Sequence, residues 1–307
     1  MPHARLKSMN LSDTVPFIYT NERPKSPITP DSVRSFGMTD AGRVRQTNED
    51  QFAIVELART MRVHGTSIPQ AKAQYSSHRG HIFLVADRMG GHQGGEVAST
   101  LGVMSVEGFL LNSLNRFFNL KASDEHQVLS EFQSVLVQTD AKLFDEAAQH
   151  PELFGMGTTL TLAFIVDWRL FVAHVGDSRC YIFSKNALHQ LTEDHSIVAE
   201  LVRRGALSPK EASRHPGRHV VTNVLGGNTH GAQVEVHKLD VEPDDVVLLC
   251  SDGLSGMVSD DHIAAVIREE NEPQRICERL VAQANENGGK DNITVVATMC
   301  RASDSSR

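Results

Sequence analysis

The chain has 307 residues, of which 40% are hydrophobic and 22% are charged, with a formal net charge of −8. This length and apolar content are enough to bury a full core, as one large domain or two small ones, which excludes an intrinsically disordered chain. The acidic balance argues against non-specific binding to nucleic acid.

The N-terminal residues and the cysteines indicate the cellular compartment. Residues 1–33 are polar and proline-rich, which predicts a flexible N-terminal arm in front of a single domain, residues 34–302. No apolar run approaches the roughly 18 residues that span a membrane, and no secretory signal is evident. We therefore expect a cytoplasmic protein with no membrane partner and with reduced, buried cysteines, since none has CxxC spacing (Cys180, Cys250, Cys277 and Cys300).

The first half of the domain reads as strands followed by helices. Residues 51–57 and 81–86 are predicted strands, and the polar residues 58–80 between them predict an irregular surface insertion. Apolar residues at helical spacing then predict two long helices, at 96–111 and 125–148.

The second half alternates shorter elements. β-Branched and aromatic residues predict a hairpin over 159–183 with its turn at 167–168. The other predicted elements are a short helix at 196–204, a strand at 246–250, helices beginning at Ser259 and Pro273, and a strand at 292–300. Strands grouped at both ends with helices between them favour an α+β layered domain over a βαβ series.

Five aspartates stand at the ends of apolar runs or beside glycines. An apolar run ends at an aspartate in IFLVAD, LFVAHVGD and VVLLCSD, so a buried strand would carry each of these carboxylates to its rim. Gathered carboxylates are costly unless a cation lies among them, and oxygen ligands favour Mg²⁺ or Mn²⁺ over zinc. Two such ions about 3.5–4 Å apart would activate a water for in-line attack on phosphorus. The five are Asp50, Asp87, Asp177, Asp252 and Asp291.

A phosphoryl-transfer site also needs a positive group for its substrate. Arg45 lies four residues before Glu49, so a strand end can present both to one site, and a guanidinium matches a phosphate bidentately. Taken singly, each aspartate is as well explained by a turn or a helix cap, and Arg45 by a surface ion pair. The whole set together favours metal-dependent phosphate chemistry.

Other chemistries lack their signatures in this sequence. A cysteine phosphatase needs an arginine six residues after its cysteine, but Asn186, Gly256 and Gln283 stand at those positions. The segment GLSGM has Met257 where a nucleophile elbow requires glycine, and the chain contains no GxxxxGK[ST] phosphate loop.

Eight motifs follow one another between residues 36 and 299: GRVRQTNED, VADRMGGHQGGEVAS, GMGTTLTL, VAHVGDSRCY, LTEDHS, VLGG, VLLCSDGLSGMVSDDHI and GGKDNITVV. In this order they resemble the metal-dependent Ser/Thr protein phosphatases of the PPM group, also called type 2C, in a bacterial style. The resemblance implies an α+β fold with a central β-sandwich of two antiparallel sheets, flanked by helices on both faces (α-β-β-α). It also implies a phosphoserine/phosphothreonine protein phosphatase that acts on phosphorylated proteins and opposes a bacterial Ser/Thr kinase carried on a separate chain.

The resemblance further implies two metal ions, Mn²⁺ or Mg²⁺, with a weaker third. By the family's pattern Asp87 bridges the first two ions, and Asp252 and Asp291 complete the protein ligands of the first. Glu49 serves the second ion, with Asp50 near its waters.

The same resemblance assigns the remaining site residues. Asp177 would share the third metal site with Asp252, and Arg45 would bind the substrate phosphate. Residues 199–217 would form a flap that tunes substrate choice. Its basic residues would either favour acidic phosphopeptides or simply form a solvated face; they are Arg203, Arg204, Lys210, Arg214 and Arg218.

Two residues depart from the family's pattern. Arg88 stands where the family has a glycine whose backbone carbonyl helps to bind the second metal. A carbonyl is present in any residue, but a side-chain cation beside the metals repels them, so we expect a weakened second metal site. Met89 stands where some relatives have a histidine that could protonate the leaving alcohol, so here water would have to donate that proton. His92 nearby is more simply a loop-structuring residue.

Two other functions stay open on the sequence. One is a pseudophosphatase, a phosphoprotein-binding module whose second metal site is impaired by Arg88. The other is a hydrolase of small phosphoesters. Restoring glycine at position 88, and comparing phosphoprotein with p-nitrophenyl phosphate as substrate, would separate them from the protein phosphatase.

Overall fold

The computed structural model describes residues 32–62, 73–89, 94–117, 125–212 and 214–301. Within these residues the strands are β1 (Val33–Asp40), β2 (Gln51–Arg62), β3 (Ala73–Ala86), β4 (Arg88–Met89), β5 (Gly157–Thr158), β6 (Leu160–Val166), β7 (Arg169–Val175), β8 (Arg179–Ser184), β9 (Ala187–Gln190), β10 (Leu225–Gly226), β11 (Glu235–Asp240), β12 (Val246–Cys250) and β13 (Ile293–Cys300). The helices are α1 (Gly94–Phe117), α2 (Glu125–Gln149), α3 (Ile197–Arg203), α4 (Pro209–Ala212), α5 (Asp252–Ser255), α6 (Asp260–Glu269) and α7 (Pro273–Glu286).

The long strands form two antiparallel five-stranded sheets. One has the order β1-β13-β12-β8-β9 and the other β11-β7-β6-β3-β2, while β10, β5 and β4 form a small third sheet. The two large sheets face each other because both sides of their central strands are apolar. In β12, Val247 and Leu249 belong to the core between the sheets, whereas Leu248 and Cys250 pack on the helical side.

A layer of helices covers the outer face of each sheet. On one side α2 presents Phe132, Leu136 and Leu143, spaced by four and seven residues, to the core that β3, β6 and β7 share with α1. On the other side the buried faces of α6 and α7 pack against β12 and β13. The predicted four-layer α-β-β-α fold is confirmed.

Local signals placed most helix starts correctly. Ser259 accepts a hydrogen bond from the backbone N–H of His262 at the start of α6, and Ser196 accepts one from Ala199 at the start of α3. Pro273 occupies the first turn of α7, where its missing N–H costs nothing. The hairpin turn at Asp167 and Trp168 has positive φ at both residues.

The prediction of an irregular insertion at 58–80 is wrong at both of its ends. β2 continues to Arg62 and β3 begins at Ala73, with a register irregularity between Ala58 and Thr60. β2 is the edge strand of its sheet, so it is held by backbone hydrogen bonds and needs no continuous apolar pattern. The sequence analysis also missed β1, which pairs along its length with β13.

The predicted arm, residues 1–33, lies outside the described residues except for Ser32 and Val33, and Val33 already pairs in β1. Among the helices that the structure describes, none combines the length and apolarity that crossing a membrane requires.

Candidate active site

The register of the second sheet brings Asp50 next to Asp87. Asp50 comes directly before β2 and Asp87 directly after β3, and the adjoining residues Gln51 and Ala86 are paired in the antiparallel ladder. Continuing that register by one residue sets the two aspartates opposite each other at one rim of the sandwich.

The register of the first sheet brings Asp252 and Asp291 to the same rim. Cys250, the last residue of β12, pairs with Val295 near the start of β13. Asp252 follows that strand end by two residues, and Asp291 precedes β13 by two. Four of the five predicted aspartates therefore come from neighbouring strand ends.

Hydrogen bonds tie the two sheets together at this rim. The hydroxyl of Thr294, on β13, donates to Oδ2 of Asp50 at 2.7 Å. The side-chain oxygen of Asn292 accepts the backbone N–H of Glu49 at 3.0 Å, and its amide nitrogen donates to the carbonyls of Ala41 and Thr47. The loop before β2 is thus held against the loop before β13.

Asp177 reaches the site from the end of β7. Gly176 before it has φ +120°, and a Cβ there would lie 2.4 Å from Cβ of Thr159, so the turn requires glycine. Burial raises the pKa of Asp177 to about 8, and the charges of Asp252 and Asp194 add to the effect.

The other buried carboxyls are also hard to ionise by themselves. Burial, followed by the charges of Asp50, Asp252 and other neighbours, raises the pKa of Asp87 well above its usual range. Burial also raises the pKa of Asp252, and the charge of Asp291 adds to it. The pKa of Asp50 is raised to about 6, chiefly by burial, while its hydrogen bond from Thr294 opposes the shift.

This arrangement fits a divalent cation. Among the residues that the structure describes, no donor reaches Oδ1 of Asp50, although that oxygen is buried. An orphaned carboxylate oxygen, set among carboxyls that repel one another, gains free energy from a cation at that position. An oxygen donor set of this kind suits Mg²⁺ or Mn²⁺.

Arg45 lies at the exposed side of the aspartates. Its Nη2 donates to Oδ2 of Asp291 at 2.7 Å, and its side chain is half exposed, at 50%. That hydrogen bond raises the pKa of Arg45, and the charges of Asp252 and Asp87 act in the same direction. A fixed guanidinium beside the carboxylates and open to solvent is suited to an incoming phosphate.

Arg88 forms an ion pair with Glu49. The two side chains are mostly buried, with 19% and 14% exposed. The backbone φ of Arg88 lies outside the left-handed region, so the residue that replaces the family's glycine is not strained. The backbone N–H of Thr159 donates to the carbonyl of Asp87, so in the antiparallel pairing the carbonyl of Arg88 points away from Thr158.

The segment predicted as a flap, residues 199–217, lies within a larger loop of the chain. An isolated bridge between Ser196 and Val221 closes the segment that contains α3 and α4. Two of its basic residues are paired locally, Arg203 with Glu193 and Arg204 with Glu200. Their positive charge is therefore partly neutralised by carboxylates that are close to them in the chain.

His219, which was not predicted from the sequence, lies near Asp252. Burial and then the charge of Asp291 raise the pKa of Asp252, and the charge of His219 partly opposes that rise. Its only sequence signal was its place beside Arg218. The side chain of Met89 and the residue His92, both considered for the leaving alcohol, lie outside what the structure describes.

A cluster of His174, His195 and Glu235 was also missed, and its ligand atoms lie within 4.8 Å of one another. The ring nitrogens of His174 contact the Thr161 hydroxyl at 2.9 Å and the carbonyls of Gly176 and Glu193 at 3.0 and 3.2 Å. Nδ1 of His195 accepts from the Gly176 N–H at 3.0 Å. We interpret the cluster as a hydrogen-bonded support for the turn that carries Asp177.

Comparison with known proteins identifies the family. The sequence profile described as Protein phosphatase 2C matches residues 51–202 and 219–293. The chain is 31% identical over 258 residues to the serine/threonine phosphatase stp of Listeria innocua, covering 84% of this chain and 92% of that protein.

Solved structures agree with this relationship. The crystal structure of the Mycobacterium tuberculosis serine/threonine phosphatase PstP/Ppp has a TM-score of 0.70 and 30% identity, covering 88% of this chain and 99% of that one. A structure of the PstP catalytic domain in complex with two manganese ions has a TM-score of 0.68 and 29% identity, with 88% and 99% covered.

The comparisons confirm the resemblance drawn from the motifs and do not favour the pseudophosphatase alternative. The chain belongs to the protein phosphatase 2C family and is a metal-dependent serine/threonine protein phosphatase.

Proposed function

We propose that the strand-end carboxylates hold two divalent ions and that Arg45 binds the phosphate of a phosphoserine or phosphothreonine side chain. The main support is one observation: buried aspartates with raised pKa values lie beside a guanidinium that is half exposed. The manganese ions in the related PstP catalytic domain favour Mn²⁺.

The proposed ligands divide into two sets. Asp87 would contribute to both ions, and Asp252 and Asp291 would complete the set for the first. Glu49 and the backbone carbonyl of Arg88 would hold the second ion. The proposal is consistent with the antiparallel register, which carries these residues to one rim.

Two further carboxylates complete the centre. Asp50 takes part through its buried Oδ1, and its other oxygen is already occupied by the Thr294 hydroxyl. Asp177 and Asp252 would share a third, weaker site, because burial and then the charge of Asp252 raise the pKa of Asp177, and a cation between the two carboxylates would offset that repulsion.

Bound divalent ions would supply Lewis acidity at this rim, lowering the pKa of a coordinated water and polarising the phosphoryl group. The role of the chain's own residues is to position the phosphoryl group and the metal ligands. Arg45, held by Asp291, would present two N–H donors to the phosphoryl oxygens as negative charge develops there. The rigid strand ends would keep the carboxylates in place without reorganisation during the reaction.

We propose that the substrates are phosphorylated proteins and that the enzyme opposes a bacterial Ser/Thr kinase. The bacterial relatives named as serine/threonine phosphatases support this role. The expected cytoplasmic location stays a prediction.

The test is phosphate release from a phosphothreonine peptide while Mn²⁺ is titrated from zero to millimolar. The wild type should show manganese-dependent turnover that Asp252→Asn abolishes. Asp244→Asn is the matched control: Asp244 is exposed, has positive φ, and its N–H bonds the carbonyl of Cys300 at the far end of β13. Equal activity in all three proteins would refute the proposed centre, and activity on p-nitrophenyl phosphate alone would favour a small-phosphoester hydrolase.

A further inference from the structure

We infer that Arg88 and a divalent ion compete for the carboxylate of Glu49, so that the second metal ion binds only when Arg88 has been displaced. This inference rests on the proposed function, because it takes Glu49 to be a ligand of the second ion. It concerns the regulation of that site: the ion pair would make activity depend on the free concentration of the metal.

Each carboxylate oxygen of Glu49 has a partner. Its Oε2 is paired with Nη1 of Arg88, while its Oε1 accepts the hydroxyl of Thr47 at 3.2 Å. A metal ion would need at least one of these oxygens. Because a hydroxyl can reorient and also donate elsewhere, the ion pair with Arg88 is the contact that opposes metal binding.

The backbone of Glu49 is held in place, so the carboxylate has little freedom to serve both partners. Its N–H donates to Asn292 at 3.0 Å, and its carbonyl accepts the hydroxyl of Ser99 on α1 at 2.8 Å. Arg88 is fixed in the same way by the pairing of β4 with Thr158 on β5. Two rigid backbones therefore present the two side chains to each other.

The charges at the rim also favour competition between Arg88 and a metal ion for Glu49. Six carboxylates converge on the rim, and Arg45 offsets one of them through its bond to Asp291. With glycine at position 88, the Glu49 charge would be left for a metal ion to neutralise. Here Arg88 neutralises it, and burial, followed by the nearby charge of Arg45, lowers the pKa of Arg88.

The expected consequence is a pair of unequal metal sites. The first site, at Asp87, Asp252 and Asp291, does not use the carboxylate of Glu49 and should bind Mn²⁺ tightly. The second site should bind Mn²⁺ on the order of 10- to 100-fold more weakly than it does without the arginine, the range by which groups around metal ligands tune affinity.

The test is calorimetric titration of Mn²⁺ into the metal-free full-length protein, which measures binding independently of turnover. The variants are Arg88→Gly and Arg88→Gln; the second removes the charge but keeps a long side chain. Arg204→Gln, which removes an exposed flap arginine paired with Glu200, is the matched control. Thermal unfolding of each protein verifies that it is folded.

The inference predicts one tight and one weak ion in the wild type and in Arg204→Gln, and a second ion tightened at least tenfold in both Arg88 variants. In a Glu49→Gln background, removing Arg88 should no longer change the affinity. Equal second-ion affinity in all proteins would overturn the competition and leave the proposed function intact. Tightening in Arg88→Gly alone would overturn it in favour of a steric effect, and a protein that binds no Mn²⁺ would overturn both proposals.

Discussion

Gly253 lies directly against the backbone carbonyl of Asn292: a Cβ on Gly253 would be 1.9 Å from that oxygen. Each of these residues follows one of the site aspartates, Asp252 and Asp291. The contact therefore sets the distance between the two loops that carry the proposed ligands of the first metal ion. Only glycine allows this approach.

We expect Gly253→Ala to lower both stability and activity. The methyl group must push the loop of Asp252 away from the loop of Asp291, at a cost of about 1–3 kcal/mol for overpacking. Thermal unfolding measures the stability, and turnover of a phosphothreonine peptide at saturating Mn²⁺ measures the activity.

The matched control for this variant is Gly108→Ala. Gly108 lies inside α1, and among the described residues outside its own helical turn no heavy atom lies within 4 Å of its Cβ position, so alanine should stabilise the protein by roughly 0.5–1 kcal/mol. If Gly253→Ala kept wild-type stability and turnover, the close approach would not be what holds the two ligand loops together.

The carboxylate of Asp140, on α2, anchors the loop that contains Gly226, Gly231 and Ala232. Its Oδ1 accepts the N–H of Gly226 at 2.7 Å, and its Oδ2 accepts those of Gly231 at 3.1 Å and Ala232 at 3.4 Å. We expect Asp140→Asn to cost about 1.5–3 kcal/mol, since an amide NH₂ cannot accept from backbone N–H groups. Chemical denaturation measures the loss, and Asp145→Asn, an exposed position on the same helix, should leave stability unchanged. A loss of equal size in both variants would contradict the loop-anchoring role.

Arg45 should be sensitive to replacement even by lysine. We expect Arg45→Lys to reduce kcat/KM on the order of 10- to 100-fold, because lysine keeps the charge but loses the bidentate geometry. Arg45→Met should reduce it further. Steady-state kinetics on a phosphothreonine peptide at saturating Mn²⁺ gives both values, and unchanged kcat/KM in Arg45→Lys would argue against a bidentate phosphate contact.

His174 should make the fold sensitive to acid. The ring is buried, so the neutral form is favoured: burial lowers its pKa from 6.5 to about 4, with the charge of His195 adding to the effect, while the hydrogen bond from Nε2 to the carbonyl of Glu193 opposes the shift. As the pH falls, His174 is therefore protonated in the unfolded chain before it is protonated in the folded protein. The free energy of unfolding decreases as the pH drops from 6.5 towards 4. The expected loss is about 2 kcal/mol between pH 7 and pH 5.

Denaturation at a series of pH values tests this prediction. Because the pKa values of His81 and His195 are also lowered by burial, the wild-type slope contains several contributions. His174→Gln should flatten the slope by the part that belongs to His174. A slope that is the same in both proteins would show that His174 does not contribute.

Much of the candidate site could be predicted because its residues carry local signals. Asp87, Asp177 and Asp252 each follow an apolar run, and a buried strand that ends in a carboxylate must deliver it to a rim. The N-terminal caps at Ser196 and Ser259 were likewise readable from a few neighbouring residues. These features depend on the preference of short segments and not on distant contacts.

Features that depend on distant partners could not be predicted. Backbone hydrogen bonds hold the far ends of β2 and β3 together, and they also pair β1 with β13. Such bonds leave no apolar pattern in the sequence. The cluster of His174, His195 and Glu235 joins residues up to 61 positions apart, so spacing in the chain gives no indication of it.

By itself, then, the sequence determined the long helices, the strand ends that bear aspartates and the family motifs, because short-range periodicity and residue chemistry specify them. Only the tertiary structure decided that Arg88 meets Glu49, that Gly253 meets Asn292, and that Ser196 pairs with Val221. Contacts of this kind depend on the register of strands within each sheet and on how the two sheets pack against each other. Both are set by the packing of the whole core.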